Sequence, residues 1–125
     1  MATLFGSPAL AGDNGDGTAG CNYGEICLNY SNPGGNWQRH FWKGGNDTGY
    51  WTDVRDSHQT STLVHDQASS LKNRDSSCDV LEVDYNGTAI RNQQWFANGA
   101  SSFVGFTSAM NDKNDAHWRC RNGGV

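Results

Sequence analysis

A chain of 125 residues is long enough for one domain with a real core and too short for two independent ones. Sixteen glycines and five tryptophans argue against helices, since glycine costs about 1 kcal/mol relative to alanine inside one, and make all-β the expected class. The formal charge of −4 and the lack of any Lys/Arg cluster exclude the basic patch that a nucleic acid or an anionic membrane surface requires, and leave a protein or a small ligand as partner. No stretch approaches the ~20 apolar residues of a membrane span.

Residues 1 to 20 show no periodicity. Ala9-Leu10-Ala11 has the small-x-small form of a signal-peptidase site, but no basic region precedes it, so a trimmed leader remnant and an apolar mature tail both stand. Gly12 to Gly20 is a flexible linker by composition. Its Asp13-Asn14-Gly15-Asp16-Gly17 run lacks the alternating oxygen ligands and closing Glu of an EF-hand and reads as solvated. The apolar Leu4, Phe5 and Leu10 ahead of it are either disordered or a tethered peptide that orders on a partner. The folded domain then spans residues 21–125.

From Cys21 to Phe41 the pattern is that of a β-hairpin. Ile26, Leu28 and Tyr30 alternate, Asn32-Pro33-Gly34-Gly35 supplies the reversal, and Trp37, Arg39 and Phe41 alternate again. Residues 43–49 read as a loop, 50–54 as a short strand or part of a long excursion, 55–61 as polar and turn-like, and 68–71 as a strand. A second round follows. Leu81, Val83 and Tyr85 share one face of a strand, Asn86-Gly87 is a strong hairpin signal, and residues 90–96 return. Residues 101–106 and 116–121 are the last predicted strands.

The two rounds look like one unit used twice. Tyr30, Gly34-Gly35, Phe41 and Asp66-Gln67-Ala68-Ser69 match Tyr85, Gly87, Phe96 and Asn114-Asp115-Ala116-His117. Four short strands per unit suggest two packed Greek keys. Four cysteines in a short chain of this composition read as a disulfide framework made outside a reducing cytosol. Of the three connectivities, the expected pairs are Cys21 with Cys27 and Cys78 with Cys120. The Cys-x5-Cys spacing is not a zinc pattern, and His40, His58, His65 and His117 are scattered.

The opening CNYGEICLNYSNPGGNW, the middle DQASSLKN and the closing NDKNDAHW together resemble the secreted bacterial proteins grouped with the actinobacterial-type metalloproteinase inhibitors. The resemblance runs from Cys21 to Cys120 and implies an extracellular βγ-crystallin-like sandwich of two Greek keys that binds a peptidase. It also implies a place for calcium. The segment His65 to Ser70 is the calcium candidate, through Asp66 and Ser69, whereas the second copy opens on Lys113 and carries His117 where the hydroxyl belongs. No other cofactor is expected.

Catalysis has no motif to stand on. There is no Gly-x-Ser-x-Gly, no His-Glu-x-x-His and no Cys/His pair, and a set such as Ser102, Asp115 and His117 arises in any chain this polar. The aromatics point to binding instead. Trp37 and Trp95, within strands, are expected in the core, and Tyr50 and Trp51 at an interface. An inhibitor presents a rigid loop, and two places could serve: the Cys21-to-Cys27 loop, with Tyr23 and Glu25, or the excursion over 43–61. The leading expectation is a peptidase inhibitor-like module. An adaptor of an extracellular assembly, docking through Leu4 and Phe5, is the alternative, and a carbohydrate-binding sandwich the third.

Overall fold

The computed structural model of the chain describes residues 15–16, 20–30, 37–47, 49–53 and 59–120. Among them there is no helix, as the glycine content requires; the strands are β1 (Ile26–Asn29), β2 (Trp37–Phe41), β3 (Gly45–Asn46), β4 (Tyr50–Asp53), β5 (Gln59–Leu63), β6 (Ser70–Asn73), β7 (Val80–Asn86), β8 (Ala89–Phe96), β9 (Val104–Gly105) and β10 (Ala116–Arg119). They form two antiparallel sheets, ordered β5-β4-β2-β1-β6-β9 and β3-β10-β7-β8. The disulfides are Cys21–Cys27 and Cys78–Cys120, the expected pairs. Leu4, Phe5 and the Asn32-to-Gly35 reversal lie outside the described residues. Within the expected linker, the Asp16 N–H donates to Glu25 Oε2 at 2.7 Å, so this point of it is docked on the domain.

Two elements differ from expectation. β3 falls in a segment read as loop and β5 overlaps one read as a turn, because Gly-Asn and Gln-Thr-Ser-Thr-Leu carry little apolar alternation. Pairing with an existing edge makes them strands: β3 lies along β10, and β5 along β4. The β7–β8 reversal occurs one residue later than Asn86-Gly87, at Gly87-Thr88, with Asn86 paired to Ala89 and Gly87 at φ +66°.

The strands repeat as two halves. In the first, β1 pairs with β2 and β6; in the second, β7 pairs with β8 and β10. The third strand of each half crosses over, β3 joining β10 and β9 joining β6. Equivalent hydrogen bonds set the correspondence. Ser69 N–H donates to Asn29 O as Asp115 N–H does to Val83 O, and Phe106 N–H donates to Ser69 O as Asp47 N–H does to Asp115 O. Asp66 N–H donates to Asn114 O while Asp112 N–H donates to Ala68 O, and Asp66 and Asp112 share a left-handed φ of 59°. Phe41 and Phe96 therefore correspond, as the sequence match has it, but Asp66 corresponds to Asp112 rather than to Asn114. Backbone turn geometry, rather than side-chain identity, marks the repeat at that point.

The main core lies between the sheets and holds Ile26, Leu28, Phe41, Trp51, Val64, Ala68, Leu71, Val80 and Phe96, with Trp37 and Phe106 against it. Leu81, Val83 and Tyr85 do share a face, but it is the other face of the four-stranded sheet, where they meet Ala116 and Trp118. The inner face of β7 starts with Val80 and continues two residues on with Glu82, which is fully buried. Trp51 and Trp95 exchange their expected places. β4 lays Trp51 into the core edge-on to Tyr30, leaving it 1% exposed, whereas Trp95 sits opposite Leu81 on the half-open outer face and is 37% exposed.

Candidate functional site

The Cys21–Cys27 loop is held from inside. Its disulfide closes it, Gly24 N–H donates to Arg74 O, Arg74 N–H to Glu25 O, and the Arg74 guanidinium to Cys21 O. The Glu25 carboxylate accepts the backbone N–H groups of Asn22 and Asp16, each at 2.7 Å. Glu25 is thus no contact residue, as its place in the loop suggested, but the loop's buried anchor; burial raises its pKa despite those two donors. Tyr23 is left projecting at the tip, 69% exposed. Gly24, at φ +92°, lets the Trp42 ring come within 3.1 Å of where a Cβ would stand, so half-exposed Trp42 lies beside the loop. Under the loop, buried His40 keeps its Nδ1 3.5 Å from Glu25 Oε1 and donates from Nε2 to Gln38 Oε1 at 2.8 Å. Burial lowers its pKa to about 4, with Asp16 opposing and Arg39 reinforcing that shift.

A second feature is a cleft of about 320 Å³ lined by Tyr30, Trp37, Trp51, Thr62 and Gln67. Tyr30 is half exposed and Trp37 partly so, while Trp51 forms the floor. Tyr50 is partly buried on β4, and Trp51, expected at an interface, is core.

The calcium candidate is divided. Asp66 opens on a polar hollow of about 190 Å³ that it lines with Asp84, Tyr85, Arg91, Asp112, Lys113 and Asp115. The Ser69 hydroxyl is committed to Tyr30 O and does not line that hollow. Arg91 pairs with Asp84, Lys113 lines the same hollow and His65 Nε2 is bonded to Asp115, so the cationic side chains Arg91 and Lys113 already stand among the carboxylates. Burial and the neighbouring Asp115 charge outweigh His65 and raise the pKa of Asp66. Ser102, Asp115 and His117 are not assembled either: His117 is bonded to Asp47 and to Lys43 O.

That last pairing belongs to a cluster with no motif spacing in the sequence. His117 Nδ1 lies 2.6 Å from Asp47 Oδ1, and Nε2 donates to Lys43 O at 2.8 Å. Asn114 Nδ2 donates to Asp47 Oδ2 at 2.9 Å and to Val64 O. Burial opposes the Asp47 charge, but the Glu82 carboxyl, His117 and Asn114 more than offset it, and its pKa is lowered. Burial first, and Asp47 second, drive Glu82 well above the carboxylate range. Neither Glu82 oxygen makes a hydrogen bond of acceptable geometry. The one hint in the sequence is a carboxylate at the centre of the apolar run Val80 to Val83.

The described residues define an all-β, disulfide-linked protein with two antiparallel sheets. No family model, no curated protein and no solved structure matches the chain.

Proposed function

We propose that the chain is a secreted protein-binding module that acts as a peptidase inhibitor-like protein, with the Cys21–Cys27 loop as its contact element. The observation that carries this reading is Tyr23, an aromatic 69% exposed at the tip of a loop closed by a disulfide. A side chain presented on a pre-ordered loop loses little entropy on binding, and exposed aromatics are the usual energetic anchors of interfaces. The other loop considered, 43–61, is a poorer choice: its described parts are β3, β4 and the start of β5, and its Trp51 is buried. The adaptor reading depends on Leu4 and Phe5, which lie outside the described residues.

The wider resemblance draws support from the topology. Each sheet carries the order fourth-first-second of its own half, as a Greek key requires, and receives the third strand of the other half. That reciprocity fits a βγ-crystallin-like pair of Greek keys, enlarged in the first half by the β4–β5 hairpin. Two disulfides are compatible with an extracellular setting.

The test is inhibition of a panel of secreted metallopeptidases by the wild-type chain, Tyr23→Ala and Trp42→Ala. Truncating Tyr23 should weaken inhibition about 30-fold, the effect of an interface hot spot of ~2 kcal/mol. A wild-type chain that inhibits none of them, or a Tyr23→Ala variant that inhibits equally well, sinks the proposal. The aromatic cleft favours a second reading, carbohydrate binding, with Tyr30 and Trp37 as stacking faces. Glycan-array binding lost in Tyr30→Ala would support it, and a blank array would remove it.

A further inference from the structure

The two halves place different chemistry at equivalent positions. In the first half, Leu28 of β1 faces Leu71 of β6, Phe106 follows the crossed strand β9, and Ala68 precedes β6. All four belong to the apolar core or pack on it. In the second half the same stations, fixed by the matching hydrogen bonds above, hold Glu82 of β7 facing His117 of β10, Asp47 after the crossed strand β3, and Asn114 before β10. An arrangement that the fold fills with Leu, Leu, Phe and Ala on one side is filled with Glu, His, Asp and Asn on the other. Glu82, Asp47, Asn114 and His117 are each 0% exposed. Apolar residues of similar volume are normally as stable as a buried ionic cluster, or more so, so stability does not account for the exchange.

We propose that Asp47, Glu82 and His117 form a buried binding site for one zinc-type divalent ion, held by the two carboxylates and His117 Nδ1, with the fourth position filled by the second oxygen of a carboxylate or by water. The three side chains offer ligand atoms that all lie within 4.8 Å of one another. His117 is set up for the role: its Nε2–H donates to Lys43 O, a carbonyl that can only accept, which fixes the ring and turns Nδ1 toward the carboxylates. Metal-bound histidines are held in this way. Glu82 supplies the independent sign of a ligand, since it is wholly buried against Asp47 and His117 and neither of its oxygens makes a hydrogen bond of acceptable geometry, its contact with the Asp47 carboxylate included. Two carboxylates and an imidazole need two positive charges, which two protons or one divalent ion supply.

The donor set selects the ion. An imidazole nitrogen with two carboxylates suits zinc and its neighbours, whereas calcium asks for six or more oxygens. Tetrahedral bonds of ~2.0 Å separate ligand atoms by roughly 3.3 Å, so the 2.6 Å contact between His117 and Asp47 opens by about 0.7 Å to admit the ion. Asn114 keeps its bond to Asp47 and acts as a positioning residue. The ion would tie the crossed strand β3 to β7 and β10.

The test uses the full chain with disulfides intact, unfolded in guanidinium and refolded either with a chelator or with one equivalent of zinc, then desalted and assayed for metal. Wild type should retain one zinc and melt at a higher temperature than its chelator-refolded form. Glu82→Gln, of the same shape, should bind zinc at least about tenfold more weakly, while His65→Ala, at the acidic hollow, binds as wild type. Because a variant could fail to fold, 15N shifts of the histidine rings are read on wild type itself: zinc should move Nδ1 of His117 and leave His65 and His40 in place. Retention of no zinc by wild type, a shift at His65 in place of His117, or full retention by a folded Glu82→Gln would each overturn the site.

Discussion

His40 shows how one buried side chain sets a pH dependence. It is 2% exposed, its pKa falls from 6.5 to about 4 chiefly through burial, and the unfolded chain therefore takes up its proton first as the solution is acidified. Stability from this residue is complete above about pH 6.5 and drains away down to about pH 4, amounting to about 3 kcal/mol. Glu25 and Glu82 act with the opposite sign: their raised pKa values mean that the folded state holds the proton more tightly, and it gains as pH falls through those values. Subtracting the urea stabilities of His40→Gln from those of wild type between pH 7.5 and 4 leaves the His40 slope alone, as the glutamates are common to both. A difference that does not change over that range would show that His40 takes up its proton as readily in the folded chain as in the unfolded one.

At the level of elements, β3 is the piece that alternation does not reveal. The hairpins β1–β2 and β7–β8 were legible because Ile26, Leu28, Leu81 and Val83 alternate and because Gly87 permits the left-handed turn between β7 and β8. β3 is two residues, Gly45 and Asn46, whose position is fixed by what lies beside them. Gly44 lets the chain in: a Cβ there would lie 2.9 Å from both Arg119 N and His117 O, atoms of the β10 backbone that cannot give way. Gly44→Ala should cost about 1–3 kcal/mol and lift β3 from β10. Hydrogen exchange reads this locally, because the Asp47 N–H bonded to Asp115 O should lose protection while its counterpart, Phe106 N–H on Ser69 O, keeps it. Equal protection at both amides would mean that β3 stays docked without the glycine. The same dependence on neighbours hid the buried cluster. Asp47, Glu82 and His117 come from three strand regions of both halves, so no spacing joins them, and only the charge inside an apolar strand hinted at it. Glu25 and Trp51 are hidden for a like reason: each follows closely on a glycine in a segment that reads as loop, Gly24 and Gly49, but the fold turns both side chains inward.

For the molecule as a whole, the internal repeat supplies its own control experiment. One half demonstrates that Leu28, Ala68, Leu71 and Phe106 satisfy the stations that Glu82, Asn114, His117 and Asp47 occupy in the other. Removing one partner of a buried charged set leaves the rest uncompensated, so His117→Leu alone should destabilise by about 3–5 kcal/mol, with Asp47 left facing Glu82. Converting the whole set, Asp47→Phe, Glu82→Leu, Asn114→Ala and His117→Leu together, copies an arrangement the fold already carries. The metal-free chain should then recover to the stability of wild type or exceed it by about 1–4 kcal/mol. Urea unfolding of the three chains in chelator measures both steps. A quadruple variant less stable than His117→Leu would show that the halves are alike in strand pairing but not in the space they enclose, and that the polar cluster is needed to fill its own. A quadruple variant that recovers would leave the polar residues without a stabilising role in the bare fold, and would put their purpose in what they bind.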